Sequence, residues 1–245
     1  MTAYSKPGNH KQSAAGNSSA IQGVLFDLDG TLADTAPDLA YTLNALLIEH
    51  HLAPLPFEKI CPVVSHGATA LLRLGFDPDI DSPAFESLRR RFLDIYCVNL
   101  ANETRLFPGM PELLTAIEQR DMKWGVVTNK PAWLTEPLMA RLDLQQRAGC
   151  IISGDSTGNR KPHPEPMLRA CRQIDILAQH CLYVGDAQRD IEAGHRAGMK
   201  TLIALFGYIS DNDRPEQWQA DGMISHPMEI LEWIRSHNES SAHLT

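Results

Sequence analysis

Three consecutive apolar residues, Val24, Leu25 and Phe26, run directly into Asp27, Leu28, Asp29, Gly30 and Thr31. A short apolar run that stops at a Gly-containing polar stretch predicts a buried strand, here Gly23 to Asp27, with a loop at its carboxyl end. Behind it stand Asp34 and Thr35 as N-cap candidates, and then Leu39, Leu43, Leu46 and Leu47 at helical spacing, which predicts a first long helix. From Pro54 to about Phe107 the period stays helical and no strand is expected, although Pro54, Pro56, Pro62, Gly67, Gly75 and Pro78 interrupt it. Within that stretch Phe85, Leu88, Phe92 and Ile95 form one stripe, opposite Glu86 and Arg89 to Arg91, the division expected of a half-buried helix.

The pattern then alternates. A helix from Pro111 to Arg120 precedes a strand at Trp124 to Thr128, and Leu134, Leu138 and Leu142 mark the next helix. A strand at Cys150 to Ser153 leads to a helix carrying Met167, Cys171 and Ile174; a strand at Leu182 to Gly185 leads to one carrying Ile191 and Ala197. Short late strands are expected at Lys200 to Ala204 and Gly222 to Ser225, and a closing helix turns Ile230, Leu231 and Ile234 inward. Strands alternating with helices of this length predict an α/β protein built on a Rossmann-like, doubly wound parallel sheet. One domain, 21–36 and 106–235, is thus split by an all-helical insertion at 37–105. Such an insertion is a natural lid. Residues 1–20, rich in Ser, Asn, Gly and Gln, read as a disordered tail, and 236–245 as a second tail.

Composition narrows the class of protein without changing that architecture. Over 245 residues the hydrophobic fraction is 43% and the charged fraction 21%, ordinary for a globular chain. A net charge of −8 argues against nucleic acid as a partner, because such proteins carry a basic face. The five cysteines are odd in number and lack CxxC spacing, which disfavours zinc and disulfide frameworks. No apolar run of membrane-spanning length occurs and the N-terminus lacks a signal-peptide core, so the expected setting is the cytoplasm, with no membrane partner.

In a parallel sheet of this kind the carboxyl ends of the strands share one edge, and ligands bind there. The first predicted strand ends at Asp27 and Asp29, and the second at Thr128 and Asn129. The third leads to Lys161 and Pro162, and the fourth ends at Asp186, with Asp190 four residues on. Taken singly, each has an ordinary structural explanation: an Asx turn for Asp27 and Asp29, strand propensity for Thr128, a solvated loop for Lys161, helix capping for Asp186 and Asp190. Taken together they supply a carboxylate nucleophile, a second acid, donors for phosphoryl oxygens and carboxylates for a divalent cation.

The segments DLDGT, VVTN, RKP and VGDAQRD resemble the four motifs of the haloacid dehalogenase (HAD) superfamily of phosphohydrolases, and the likeness covers nearly all of the chain after residue 20. It implies the HAD fold with a C1-type cap in place of the insertion. It also implies that Asp27 forms an aspartyl-phosphate and that Asp29 protonates the leaving oxygen and then activates water. Thr128, Asn129 and Lys161 would bind the phosphoryl group. Mg²⁺ would be held by Asp27, Asp186 and the backbone carbonyl of Asp29, with Asp190 in support. The acid at position 29 points to phosphate esters, since dehalogenases and phosphonatases lack a carboxylate there. A response-regulator receiver, a catalytically silent binding module and a sugar phosphomutase are the rival classes; length, insertion and intact motifs disfavour the first two.

Within the superfamily LFPGMPELL, WGVVTNKP and KPHPEPML are most similar to bacterial phosphoglycolate phosphatases, which makes 2-phosphoglycolate the first expected substrate. FGYI followed by Trp218, Ala220 and Asp221 is similar to N-acetylmuramic acid 6-phosphate phosphatases of cell-wall recycling, the alternative. Ser65, His66, Gly67 and Ala68 are the expected cap loop over a small phosphate monoester, with Lys130 placed to meet a substrate anion. Arg73 and Arg89 to Arg91 are further candidates for a substrate carboxylate, but the cluster Arg89 to Arg91 reads first as a solvated helix face. A monomer or homodimer is expected.

Overall fold

The computed structural model describes residues 20–76 and 83–242. Six strands form a parallel sheet: β1 (Gly23–Phe26), β4 (Lys123–Val127), β5 (Ile151–Ile152), β6 (Cys181–Gly185), β7 (Lys200–Ala204) and β8 (Gly222–Ile224). Their spatial order is β5-β4-β1-β6-β7-β8. The chain leaves β1 toward β4 and later returns to its other side at β6, so the topological switch lies beside β1, where such sheets bind ligands. Register enforces the convergence: Phe26 pairs with Val126 on one side and with Val184 on the other. Asp27, Thr128 and Asp186 therefore emerge at nearly one level. Val24, Leu25 and Phe26 are fully buried, as expected of a central strand covered by helices on both faces.

Helices α5 (Met110–Glu118), α6 (Ala132–Arg141), α7 (Glu165–Ile174), α8 (Gln188–Ala197) and α9 (Glu229–Ala242) flank the sheet. The inserted helices are α1 (Ala36–Glu49), the single turn α2 (Phe57–Ile60), α3 (Gly67–Phe76) and α4 (Pro83–Asn99). A 3₁₀ segment, Cys61–His66, carries the expected cap loop and ends at Gly67, whose φ of 79° needs glycine. Leu43, Leu46, Ile60, Leu72 and Phe92 are fully buried and belong to the same apolar cluster as Phe26, Leu113 and Val184. Cap and sheet thus bury a continuous core.

Three expectations need correction. A strand does occur in the region expected to be free of them: β3 (Arg105–Leu106) pairs antiparallel with β2 (Ala33–Asp34) and frames the insertion. Two-residue strands are too short for alternation to reveal. Thr35 occupies the N-cap position of α1 but makes no capping bond; its hydroxyl donates to Asp29 instead. The C-terminal segment from 236 is helical through Ala242. Its polar residues Ser236, Asn238 and Ser240 hide the period, yet Asn238 accepts a 2.9 Å bond from the Ile21 amide and so ties α9 to the chain just before β1. Residues 1–19 of the expected N-terminal tail lie outside the described residues.

Candidate active site

Asp27 follows β1, and its own Oδ1 accepts the backbone N–H of Leu28 at 2.7 Å. Lys161 reaches the same oxygen at 2.8 Å and Oδ1 of Asp190 at 2.7 Å. All three side chains are buried. Lys161 has a third partner that sequence reasoning missed: its ammonium donates to the Tyr183 hydroxyl at 2.8 Å, and that hydroxyl donates to the Val127 carbonyl at 2.8 Å. A tyrosine in the middle of a fully buried strand must place its hydroxyl on a partner, and that requirement was the available signal.

Asn129, expected among the phosphate-binding groups, uses its side chain otherwise. Its amide donates to the Lys161 carbonyl and its oxygen accepts the Lys161 N–H, both at 3.0 Å. That clamp fixes the loop presenting Lys161. Thr128 is buried beside it, and its hydroxyl oxygen accepts the Lys130 N–H at 3.2 Å.

Asp27, Asp186 and Asp190 each place a carboxylate oxygen within 4.8 Å of the others. Burial, then Asp27, then Asp190 push the Asp186 carboxyl up to about 7. Burial likewise raises Asp27, with Lys161 pulling the other way. Crowded, buried carboxylates of this kind are what a hard divalent cation relieves, and an all-oxygen donor set suits Mg²⁺. Of the residues expected to hold it, Asp27 takes its contacts from Leu28 and Lys161 on Oδ1, and Asp186 takes its shortest ones on Oδ2. Asp190 is divided between Lys161 and the Ala187 N–H, a supporting place. The Asp29 carboxylate is outside the cluster, so its side chain is no ligand there.

Backbone crowding fixes the carboxylate side of the site. A Cβ on Gly30, at φ 82°, would lie 2.1 Å from Oδ2 of Asp186, and one on Gly207 would lie 2.4 Å from the Gly30 carbonyl. Oδ2 of Asp186 accepts the Tyr208 N–H at 2.9 Å and the Ser65 hydroxyl at 2.6 Å. Arg189 also donates to the Ser65 carbonyl. Neither Tyr208 nor Arg189 was singled out from the sequence.

Asp29 faces the other way. Its Oδ1 accepts the Thr35 hydroxyl at 2.7 Å and the Lys130 ammonium at 2.8 Å. Lys130 also donates to Tyr96 of the cap at 2.9 Å, a residue absent from the sequence expectations. Burial opposes the Lys130 charge, but Asp29 and Tyr96 outweigh it and hold the ammonium above the ordinary lysine range. Between cap and sheet lies a cavity of about 320 Å³ that reaches Asp27, Asp29 and Thr128. Exposed His66 and Gly67 line it with Ser65, Ala68, Phe92, Leu93, Arg89 and Arg160. Of the cap arginines only Arg89 is on this wall; Arg91 pairs with Glu49, and Arg73 is exposed elsewhere.

Comparisons with known proteins give the family. The family described as haloacid dehalogenase-like hydrolase matches residues 24–204. An N-acetylmuramic acid 6-phosphate phosphatase of Pseudomonas aeruginosa is 43% identical over 212 residues, covering 86% of this chain and 94% of that one. A phosphoglycolate phosphatase of Xanthomonas campestris is also 43% identical, over 211 residues, covering 86% and 95%. The solved structure of a predicted phosphoglycolate phosphatase from Haemophilus somnus superposes with a TM-score of 0.78 at 29% identity, covering 89% of this chain and 99% of that one.

Proposed function

The chain belongs to the haloacid dehalogenase-like hydrolases and is a phosphatase of that family, and from that premise we propose that it hydrolyses a phosphorylated amino-sugar acid of the N-acetylmuramic acid 6-phosphate type through an aspartyl-phosphate on Asp27. The observation that carries the choice of substrate is the cavity: about 320 Å³, walled by Phe92, Leu93, Leu39 and Leu134 as well as by Arg89 and Arg160. Pockets of about 300 Å³ and above accommodate ligands larger than a two-carbon acid, and apolar walls suit a pyranose ring and an acetamido methyl. This reverses the order suggested by the sequence phrases, in which 2-phosphoglycolate comes first. The second reading retains 2-phosphoglycolate, on the strength of the Xanthomonas relative and of the cationic side chains Arg89 and Arg160 on the cavity wall.

In the proposed reaction Asp27 Oδ attacks phosphorus as the ester oxygen departs, and Asp29 gives that oxygen its proton. Asp29 then takes a proton from the water that attacks the aspartyl-phosphate, releasing phosphate and restoring Asp27. Lys161, held by Asn129 and Tyr183, offsets the repulsion between the Asp27 carboxylate and the phosphate. Thr128 donates a hydrogen bond to a phosphoryl oxygen. Mg²⁺, held by Asp27, Asp186 and the Asp29 carbonyl with Asp190 behind them, would supply further positive charge on the phosphoryl oxygens.

Phosphate release from N-acetylmuramic acid 6-phosphate, 2-phosphoglycolate and hexose 6-phosphates tests the assignment. The amino-sugar acid should show a kcat/KM at least about tenfold above the others, since discrimination is a difference in transition-state binding. A higher value for 2-phosphoglycolate establishes the second reading instead.

A further inference from the structure

The Lys130 ammonium is sandwiched between a catalytic carboxylate and the cap. It lies 2.8 Å from Asp29 Oδ1, 2.9 Å from the Tyr96 hydroxyl and 4.6 Å from the centre of the Tyr96 ring. Its side chain is 7% exposed and that of Asp29 18%, so little water competes for these contacts. The main chain of Lys130 is anchored independently: its N–H donates to Thr128 Oγ1, and its carbonyl accepts the Gly154 N–H at 2.8 Å. Tyr96, by contrast, belongs to α4 of the insertion. The lysine is therefore fixed in the sheet domain at one end and held by the cap at the other.

The two oxygens of Asp29 are not equivalent. Oδ1 accepts both Thr35 and Lys130, while Oδ2 carries no hydrogen bond among the described residues. An oxygen already accepting two donors, one of them an ammonium, is poorly placed to carry a transferable proton.

We infer that Lys130 is a positioning residue for Asp29: it pins Oδ1 so that Oδ2 carries the proton to the leaving oxygen, and Tyr96 makes that pinning depend on a docked cap. The inference rests on the phosphatase reading above. It gives the cap a part in the chemistry besides enclosing the substrate, because its docking holds the group that orients the acid. The proton balance is unchanged: Lys130 keeps its proton throughout, and Asp29 Oδ2 gives one to the ester oxygen and regains one from water.

The test compares kcat/KM for an alkyl phosphate and an aryl phosphate in Lys130→Met, Tyr96→Phe and the double variant. This parameter reports steps through departure of the leaving group, and an aryl oxide needs far less protonation than an alkoxide. Lys130→Met should lower the alkyl value by roughly 10²-fold, the scale of a misplaced catalytic group, and the aryl value by much less. Tyr96→Phe keeps the ring and should show a smaller loss with the same alkyl selectivity. The double variant should be no worse than Lys130→Met, because the two act as one unit. Equal losses on both esters in an active enzyme overturn the inference alone, as do additive effects in the double variant. A wild-type chain inactive on every phosphate ester overturns the phosphatase reading and this inference with it.

Discussion

Ser65 Oγ, in the helical insertion, donates a 2.6 Å hydrogen bond to Oδ2 of Asp186, at the end of β6 in the sheet domain. With the contact from Arg189 to the Ser65 carbonyl, it draws the cap loop down onto the carboxylate cluster. A hydrogen bond to a charged group contributes about 1.5–3 kcal/mol. Ser65→Ala should therefore raise KM by about tenfold or more, with kcat much less affected, in steady-state assays. An unchanged KM would mean that the loop is held without this bond.

Crowding of the three acids predicts a pH-dependent response to metal. The Asp186 carboxyl stands at about 7 against an ordinary 3.8. A raised carboxyl binds its proton more tightly in the folded state, so the metal-free protein loses stability as pH rises through that interval. Mg²⁺ competes with the same proton. The rise in Tm on adding Mg²⁺ should consequently be larger at pH 8 than at pH 6, and chelation should reverse it. An equal rise at both pH values would place the ion elsewhere.

Lys161→Met removes the ammonium lying between Asp27 and Asp190 and leaves two buried carboxylates facing one another. Taking one partner from a buried ion pair costs about 3–5 kcal/mol. Chemical denaturation should show that loss in the absence of metal, and turnover should fall at least about 10²-fold. Retention of both would remove Lys161 from the site.

The junction of cap and sheet predicts a further stability effect. Asp38, buried in the first turn of α1, accepts the N–H groups of Glu103 and Thr104 at 3.0 and 2.9 Å and the Thr104 hydroxyl at 2.6 Å. It thereby ties together the outgoing and returning chains of the insertion. Asp38→Ala leaves buried donors unpaired, at about 1–3 kcal/mol each, and should lower Tm by several degrees. A variant as stable as wild type would show that β2 and β3 hold the junction unaided.

How far the sequence carried this picture follows from what kind of signal each part leaves. Asp27, Thr128 and Asp186 were readable because each follows an apolar run on one edge of a parallel sheet, and Lys161 because the loop after the third predicted strand leads to it. The residues that hold them were not. Tyr183 sits inside a strand where any large apolar residue would fit the pattern, and Tyr96 lies on the buried stripe of a helix. In both cases only the three-dimensional partner of the hydroxyl reveals a role. Asn129 and Lys130 were noticed for their position, but their side chains are engaged by the Lys161 peptide and by Asp29 and Tyr96, contacts across long stretches of chain that spacing does not encode. β3 escaped because two residues carry no period, and the end of α9 because its residues are polar.

The central claim is that Asp27 is the nucleophile of a phosphatase, and phosphate release by Asp27→Asn beside the wild-type enzyme, with Mg²⁺ and an aryl phosphate, tests it most directly. The wild type should release phosphate continuously. The variant keeps the shape and loses the attacking charge, so its rate should fall by about 10³-fold or more while its Tm stays at or above that of the wild type. A folded Asp27→Asn enzyme turning over within about tenfold of wild type, less than the loss of a nucleophile entails, would contradict the account.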